Sequence, residues 1–188
     1  MVVRPRVDGD LDDCVAVAHA VHELDGYPPY LPTDLRTFLV SPGAYAAWVA
    51  ERAGRIVGHV ALHRSSVAAA MARASEALDL PADRLGVVAR LLVAPTARRG
   101  GVGRALLEVA TQAAMARGLW PVLDVAVQLP GAVGLYEACG WTPAGRVTVS
   151  LGDGFSLDEL VFLGPPPPTD DRHRPGPQAA SVADRPRR

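Results

Sequence analysis

Residues 98–104 have the composition of an anion-binding turn. In order, they are Arg98, Arg99, Gly100, Gly101, Val102, Gly103 and Arg104. Glycines at alternate positions let a backbone approach a ligand closely and adopt open dihedral angles. If a helix begins here, its first N–H groups and its dipole favour a negatively charged group such as a pyrophosphate. Arginines are unfavourable at a helix N-terminus unless an anion is bound there, so their presence supports the same interpretation.

Three kinds of phosphate-binding turn can follow a strand and open a helix. The turn of phosphate-loop nucleoside triphosphatases requires Gly-Lys-Ser/Thr, but no lysine follows Gly103. The dinucleotide-binding fingerprint requires a third glycine, and Leu106 occupies that position. The third pattern is Arg/Gln-x-x-Gly-x-Gly/Ala, which Arg98, Gly101 and Gly103 fit. The spacing therefore favours the third pattern.

The elements on either side of the turn follow from hydrophobic spacing. Residues 85–93 form a near-continuous apolar run, typical of a central strand buried on both faces. Residues 103–117 carry an apolar stripe at helical spacing, which Gly118 ends. A strand at 121–127 and a short helix at 132–139 come next. The turn should therefore join a buried strand to a helix.

The remaining segments complete one mixed sheet of α/β type with helices on both faces. We predict further strands at 2–7, 45–52, 55–63, 146–151 and 155–163. We predict further helices between Asp10 and Gly26, at 33–39 and at 66–80. From Gly164 onward the chain is rich in proline and poor in apolar residues, which predicts a disordered tail.

The composition excludes several classes of function. The chain has 188 residues, 49% of them hydrophobic, which predicts one domain at 1–163 and a tail at 164–188. A formal net charge of −1 offers no basic face for nucleic acid. We find no signal peptide and no apolar run of the ~18 residues that a membrane span needs. Cys14 and Cys139 make no disulfide framework, and no Cys/His cluster has metal-ligand spacing. We therefore expect a cytoplasmic protein without bound metal.

Two motifs at the expected separation resemble the GNAT superfamily of N-acetyltransferases. The first comprises residues 91–107 and includes the turn. The second, residues 134–141, reads Gly-Leu-Tyr-Glu-Ala-Cys-Gly-Trp and is similar to the family's Leu-Tyr-Glu-x-x-Gly-Phe. The element order also resembles the family from residue 2 to about residue 163. The resemblance implies a mixed, mostly antiparallel sheet of about seven strands with helices on both faces, and acetyl-CoA as co-substrate.

The resemblance also implies roles for individual residues. The strand that ends at Leu91, Leu92 and Val93 should splay from the strand at 121–127 and contact the cofactor. Free backbone groups at Leu92 and Val93 would pair with the pantetheine amides, and the Val93 N–H would polarise the thioester carbonyl. The turn at 98–104 would hold the pyrophosphate. Tyr136 would lie near the sulfur and protonate the leaving thiolate.

The general base is less clearly indicated. Related enzymes often place a carboxylate on the central strand, but residues 86–90 contain none. His59, His63 and Asp124 are the candidates for a base or for a residue that positions water, and a water chain is an equal alternative. The sequence departs from the family pattern at Leu129, where an asparagine often bonds the cofactor arm. We therefore expect the geometry near the sulfur to differ from that of the family.

The acceptor site should be formed by the segment at 26–32, the first helices and the last hairpin. Tyr27 and Tyr30 could line it. Asp25 or Asp34 could attract a cationic amine. These residues are predicted only from their place in the chain.

The sequence predicts a primary amine of a small molecule as the acceptor. A protein N-terminus or lysine is the runner-up, and a non-catalytic acyl-CoA-binding module is the alternative of a different class. The missing carboxylate and asparagine favour that module, whereas Tyr136 argues for an enzyme. The helical insertion predicted at 66–85 has three possible roles: a lid over the acceptor, a contact in a homodimer, or a segment without a specific function.

Overall fold

The computed structural model describes residues 1–28, 34–152 and 155–167, and it builds them around one mixed sheet. The strands are β1 (Val2–Pro5), β2 (Ala44–Arg52), β3 (Arg55–His63), β4 (Leu85–Val93), β5 (Trp120–Ala126), β6 (Thr142–Gly152) and β7 (Phe155–Leu163). The helices are α1 (Leu11–Asp25), α2 (Leu35–Val40), α3 (Ala68–Leu78), α4 (Val102–Met115) and α5 (Pro130–Ala138). Short 3-10 turns lie at Asp8–Asp10, Ala82–Arg84 and Pro95–Ala97.

The sheet is antiparallel except at one junction. Its strand order is β1-β2-β3-β4-β5-β7-β6. Only β4 and β5 run parallel among the paired strands of the described chain. A parallel pair needs a long crossover connection, and α4 lies within it. The predicted fold class, a mostly antiparallel mixed sheet of about seven strands, is confirmed.

Strand alternation divides the core between the two faces of the sheet. On β2, Ala50 packs in the cluster of α4 and α5, whereas its neighbour Val49 packs in the cluster of α1 and α2. On β4, Val88 packs in the cluster of α4, whereas Val87 packs in the cluster of α3. Helices α1, α2 and α3 therefore share one face of the sheet, and α4 and α5 cover the other.

Strands β4 and β5 are paired only at their beginnings. The parallel ladder joins residues 85–87 to residues 120–122. Against β3, Val60 opposes two residues of β4, Arg90 and Leu91, so β4 contains a one-residue bulge. Arg90 has a φ of 54°, in the left-handed region. A bulge bends its strand, and beyond it β4 and β5 leave a gap between them.

Some element boundaries differ from the predicted ones. Strand β1 ends at Pro5 because Asp10 accepts a 2.8 Å hydrogen bond from the Val7 N–H and closes a 3-10 turn. The helix predicted at 66–80 is observed as the shorter α3. It ends before Asp79, whose backbone has the left-handed conformation. Strand β6 begins at Thr142 rather than at 146, because Thr142 already pairs with Leu163 of β7.

Three predicted features lie wholly or partly outside the described residues. They are Tyr30, the tip of the last hairpin at 153–154, and the tail from residue 168 onward. Gly164 is buried, and its N–H donates to the Pro121 carbonyl at 2.8 Å. The packed chain therefore continues one residue past the predicted boundary. None of the described helices is long and apolar enough to cross a lipid bilayer.

Candidate active site

Two cavities meet where β4 and β5 separate. The first has a volume of about 630 Å³ and lies over the N-terminus of α4. The second has a volume of about 350 Å³ and lies between the α1–α2 region and the start of α3. Both are lined by Tyr27, Leu91, Leu129, Ala132 and Tyr136. These shared residues place the two cavities side by side at the gap in the sheet.

The first cavity contains the predicted anion-binding turn. Gly101 precedes α4 with a φ of 77°, and no side chain in the described part of the chain caps the helix. The first N–H groups of an α-helix have no partner within the helix. In α4 these groups belong to residues that line the cavity, as do the three arginines of the turn. The residues involved are Arg98, Arg99, Val102, Gly103 and Arg104. This wall of the cavity can hold an anion.

Two glycines of the turn differ in what they contact. A Cβ on Gly103 would come within 3.0 Å of Leu135 on α5, so glycine keeps α4 and α5 close beside the cavity. A Cβ on Gly100 would come within 2.8 Å of the Arg52 guanidinium. Gly100, predicted as a cofactor contact, does not line either cavity. Its position instead supports packing of Arg52 on the turn.

Arg98 is already engaged by neighbouring groups. It forms an ion pair with Asp25 at the end of α1, where its Nη1 donates to Oδ1 at 3.1 Å. Its Nε donates to the Val93 carbonyl at 3.3 Å. The hydrogen bonds to Asp25 raise the pKa of Arg98 further, so it stays charged. Arg104 donates to the Ala138 carbonyl at 3.1 Å. An anion in this cavity would compete with Asp25 for Arg98.

The three residues predicted to contact a cofactor at the end of β4, Leu91, Leu92 and Val93, face in different directions. The Ala94 N–H donates to the Val57 carbonyl on β3 at 2.9 Å. Because backbone groups alternate along an antiparallel ladder, the N–H and C=O of Val93 point the other way, toward the gap. Leu91 and Val93 line the first cavity. Leu92 faces the α1 core, is fully buried and lines neither cavity.

Tyr136 lies on α5 at the junction of the cavities. Its side chain is 7% exposed. Its ring packs against Trp141 and Phe162, with centroid separations of 6.2 and 5.8 Å. Burial, with a smaller contribution from Tyr27 and Asp124, raises the pKa of the phenol well above its usual value. The hydroxyl is therefore protonated at neutral pH and can donate a proton to a stronger base.

The second cavity contains two carboxyl groups. Asp124 on β5 and Glu159 on β7 share one face of the sheet, because Ala126 pairs with Glu159 and Asp124 with Val161. Both carboxyls line the cavity together with Ser66, just before α3. Burial raises the pKa of Asp124, and burial together with Asp124 raises the pKa of Glu159 to about 7. Both carboxyls therefore bind a proton more readily than ordinary ones.

The two predicted histidines have different environments. His59 is fully buried and lines neither cavity. Its Nε2 lies 3.2 Å from Nη1 of Arg6, so it must accept, and its Nδ1–H donates to the Arg90 carbonyl at 3.0 Å. His63 lines the second cavity, and its Nε2 accepts from Nη1 of Arg90 at 2.6 Å. Burial lowers the pKa of each to about 4, so both are neutral.

The other predicted acceptor residues are distributed unevenly. Tyr27 lines both cavities, and burial raises its pKa to about 12. Asp25 lines the first cavity, through its pair with Arg98. Asp34 is the N-cap of α2, where it accepts hydrogen bonds from the N–H groups of Arg36 and Thr37. Its carboxylate is thus committed to the helix.

Sequence reasoning missed two charged residues of the second cavity, Arg90 and Glu159. The strand that contains Glu159 was predicted. The sequence does not give the register in which this strand pairs with β5, and that register brings Glu159 beside Asp124. Arg90 lies at the bulge, and no feature of the sequence predicts an extra residue there. Among the described residues no group of three His, Cys, Asp or Glu is placed to hold a metal ion.

Comparison with known proteins agrees with this architecture. The model of the Acetyltransferase (GNAT) family matches residues 16–141, which is well over half of the chain. No curated protein sequence matches significantly.

Solved structures share the fold at low sequence identity. A ribosomal-protein-alanine N-acetyltransferase from Brucella melitensis is 22% identical, with 87% of this chain and 99% of that chain covered and a TM-score of 0.66. An N-acetyltransferase from Staphylococcus aureus Mu50 is 18% identical, with 86% and 96% covered and a TM-score of 0.67. NAA60 from Arabidopsis thaliana, in complex with acetyl-CoA, is 18% identical, with 87% and 97% covered and a TM-score of 0.65.

Proposed function

The chain belongs to the GNAT family of acetyltransferases, and we propose that it transfers an acetyl group from acetyl-CoA to a primary amine of a small molecule. One observation carries the proposal. A cavity walled by the uncapped N-terminus of α4 and three arginines opens, at Tyr136, onto a second cavity with ionisable side chains. The first has the chemistry to hold a pyrophosphate, and the second has the volume for a small ligand.

We assign the cofactor to the first cavity. The turn at 98–104 would bind the pyrophosphate through the N–H groups of α4 and through its arginines. The pantetheine arm would lie in the gap between β4 and β5, where Val93 presents its N–H, while its carbonyl already accepts from Arg98. Leu91 would contact the arm, whereas the burial of Leu92 favours a purely structural role. A structural neighbour solved with acetyl-CoA, NAA60 from Arabidopsis thaliana, shares this fold, which supports the assignment by analogy.

The reaction would be direct attack of the amine nitrogen on the thioester carbonyl carbon. As the C–N bond forms, the Val93 N–H would stabilise the negative charge that develops on the carbonyl oxygen. The C–S bond then breaks, and the Tyr136 hydroxyl would donate its proton to the leaving thiolate. Tyr136 fits this role because it lies at the junction of the cavities and its raised pKa keeps it protonated.

We assign the general base to the Asp124–Glu159 pair. An alkyl amine with a pKa near 10.4 must lose a proton before it attacks, at a cost of about 4–5 kcal/mol at pH 7. A carboxylate with a raised pKa is a better base at neutral pH than an ordinary one. His59 is an unfavourable candidate because both of its ring nitrogens are engaged. His63 is also less suited, because its Nε2 already accepts from Arg90.

Amines on proteins are the runner-up acceptors. Two structural neighbours are the ribosomal-protein-alanine N-acetyltransferase of Brucella melitensis and the ribosomal-protein-S18-alanine N-acetyltransferase of Escherichia coli, which favours an N-terminal amine. The volume of the second cavity, about 350 Å³, favours a small molecule.

Two measurements on the purified chain test the proposal. Acetyl-CoA should raise the melting temperature, and it should release free CoA thiol when mixed with a panel of small amines. If acetyl-CoA raises the melting temperature but neither small amines nor peptides cause thiol release, the protein would be a non-catalytic acyl-CoA-binding module. A melting temperature that acetyl-CoA does not change would refute the cofactor assignment itself.

A further inference from the structure

Arg90 brings a positive charge into the second cavity without a negative partner. It lines the cavity, and its guanidinium forms no ion pair with any carboxylate of the described residues. The side chain is nevertheless held firmly. Nη1 donates to His63 at 2.6 Å, and Cζ lies 4.5 Å from the centre of the Phe38 ring. The guanidinium is thus oriented by neutral groups only.

This arrangement is unfavourable for the protein alone. Nε of Arg90 is buried and has no hydrogen-bond partner among the described residues. A buried donor without a partner costs about 1–3 kcal/mol, and more when the group is charged. Burial also lowers the pKa of Arg90, which shows that its surroundings disfavour the charge. Arginine presents planar N–H groups that match the geometry of a carboxylate. An anionic group on the ligand would pair with the guanidinium and offset the cost of burying its charge.

The opposite charge lies elsewhere in the same cavity. Asp124 and Glu159 line the same cavity as Arg90, and neither forms an ion pair with it. His63 is neutral. The lining therefore presents a guanidinium and an acidic pair at separate positions. A simple monoamine would satisfy only the acidic pair, whereas a zwitterion would satisfy both.

The placement of these groups gives the ligand a direction. The Arg90 guanidinium is held by His63 and Phe38, which line the second cavity and not the first. Asp124 contributes to the raised pKa of Tyr136 and of Tyr27, whereas Arg90 acts on Tyr27 alone of the two. The acidic group is therefore on the side of the junction with the first cavity, where the thioester would lie. A ligand amine next to Asp124 would point toward that junction. Its carboxylate would then lie on the side of Arg90, His63 and Phe38.

We propose that the acceptor is a small amine that also carries a carboxylate, with Arg90 binding the carboxylate and the Asp124–Glu159 pair receiving the amine. This inference rests on the proposed acetyltransferase function and narrows its substrate class to amino acids in the broad sense. It makes Arg90 a specificity-determining residue.

The test compares acceptors that differ only in the carboxylate. Full-length protein with acetyl-CoA is given α-, β- and γ-amino acids, their carboxamides and the corresponding amines that lack the carboxyl group. Thiol release gives kcat/KM for each, and calorimetry in the presence of CoA gives binding where turnover is not detected. We expect at least one amino acid to exceed its carboxamide and its simple amine by tenfold or more.

Two variants separate specificity from folding. Arg90→Met keeps the contact with Phe38 but removes the charge, so it should raise KM for the amino acid at least tenfold and leave KM for the carboxamide within twofold. Arg64→Met is the matched control, because Arg64 is exposed, stacks on Tyr45 and lines neither cavity. It should leave both KM values unchanged.

The outcomes are distinguishable. The inference is overturned if the wild-type protein treats amino acids and simple amines alike, if it binds neither, or if Arg90→Met leaves the selectivity unchanged. That result leaves the acetyltransferase function standing as long as some other amine is acetylated. Failure of acetyl-CoA to bind or to react with any amine would instead remove the proposed function.

Discussion

The first cavity takes its arginines and its free helix N–H groups from one continuous stretch of chain, residues 98–104, whereas the second takes its histidine, arginine and carboxyl groups from β3, β4, β5 and β7. In the first, the central feature is backbone at the start of a helix, which any sequence with glycines in the right places can present. In the second, it is a set of side chains that meet only because the strands pair in one register. The comparison suggests that the first site is tied to the fold and the second to this particular chain.

The two cavities should therefore fail independently when mutated, except at the residues that they share. Tyr136 is the strongest test of that expectation. Replacing it with phenylalanine removes only the hydroxyl, so kcat should fall by about 10²–10⁴-fold while the dissociation constant for acetyl-CoA stays within about twofold. Steady-state kinetics and calorimetry measure the two effects. Tyr45→Phe, outside both cavities, is the control, and an unchanged kcat in Tyr136→Phe would contradict the acid role.

The backbone site should break at Gly101. Gly101→Glu forces a side chain into a left-handed conformation and places a carboxylate beside the anion site. We expect affinity for acetyl-CoA to fall by about 100-fold, which is about 2.8 kcal/mol.

Gly118→Glu separates this effect from backbone strain. Gly118 also has a positive φ, 69°, but lies at the far end of α4. Both variants should lose about 1–2 kcal/mol of stability from the strained residue, which thermal unfolding measures. Equal losses of acetyl-CoA affinity in the two variants would show that the turn does not bind the cofactor.

The side-chain site should reveal itself through pH. Because the pKa of Glu159 is raised to about 7, the folded protein holds a proton that the unfolded chain releases at lower pH. This contribution to stability is full in acid and is lost as the pH rises through 7. Glu159→Gln removes it, so the melting temperature of the variant relative to wild type should increase between pH 5 and pH 8, by about 2–4 °C for each kcal/mol.

The matched variant is Asp158→Asn on the same strand, which should show no such trend. Because the pKa values of His59 and His63 are lowered, the unfolded chain takes up more protons than the folded protein. These histidines therefore reduce the stability of the folded protein as the pH falls from about 6.5 to 4. Their effect is present equally in wild type and variant and cancels in the difference. A difference between Glu159→Gln and wild type that does not vary with pH would show that the pKa of Glu159 is not raised in the folded protein.

The smallest expected effect concerns Asp25. Its pair with Arg98 competes with any anion in the first cavity. Asp25→Asn should free Arg98 and tighten acetyl-CoA binding by about 1.4–5-fold, since exposed ion pairs contribute about 0.2–1 kcal/mol. Asp12→Asn, which breaks an exposed pair with Arg36 elsewhere on α1, should not alter the affinity. Weaker binding in Asp25→Asn would mean that Asp25 supports the turn rather than competing with the ligand.

The difference between the cavities also explains what the sequence could predict. The turn at 98–104 and Tyr136 were identifiable because each depends on local spacing around one helix. Arg90 and Glu159 were not, because their roles depend on a bulge and on the pairing of β5 with β7. His59 was misleading for the same reason. Its strand was predicted, but contact with Arg6 and with the Arg90 carbonyl depends on neighbours distant in the sequence.

The bulge in β4 has a consequence for how this strand could evolve. By adding one residue opposite Val60, it shifts the alternation of side chains halfway along the strand. Before the bulge, odd-numbered side chains such as Val87 face helices α1–α3. After it, even-numbered side chains such as Leu92 face them. A deletion of one residue at 90 or 91 would restore a single rule and leave Leu92 on the α1 face, two positions after Ala89. Such a deletion should therefore change the bend of β4 beside β5 more than the packing of its core residues.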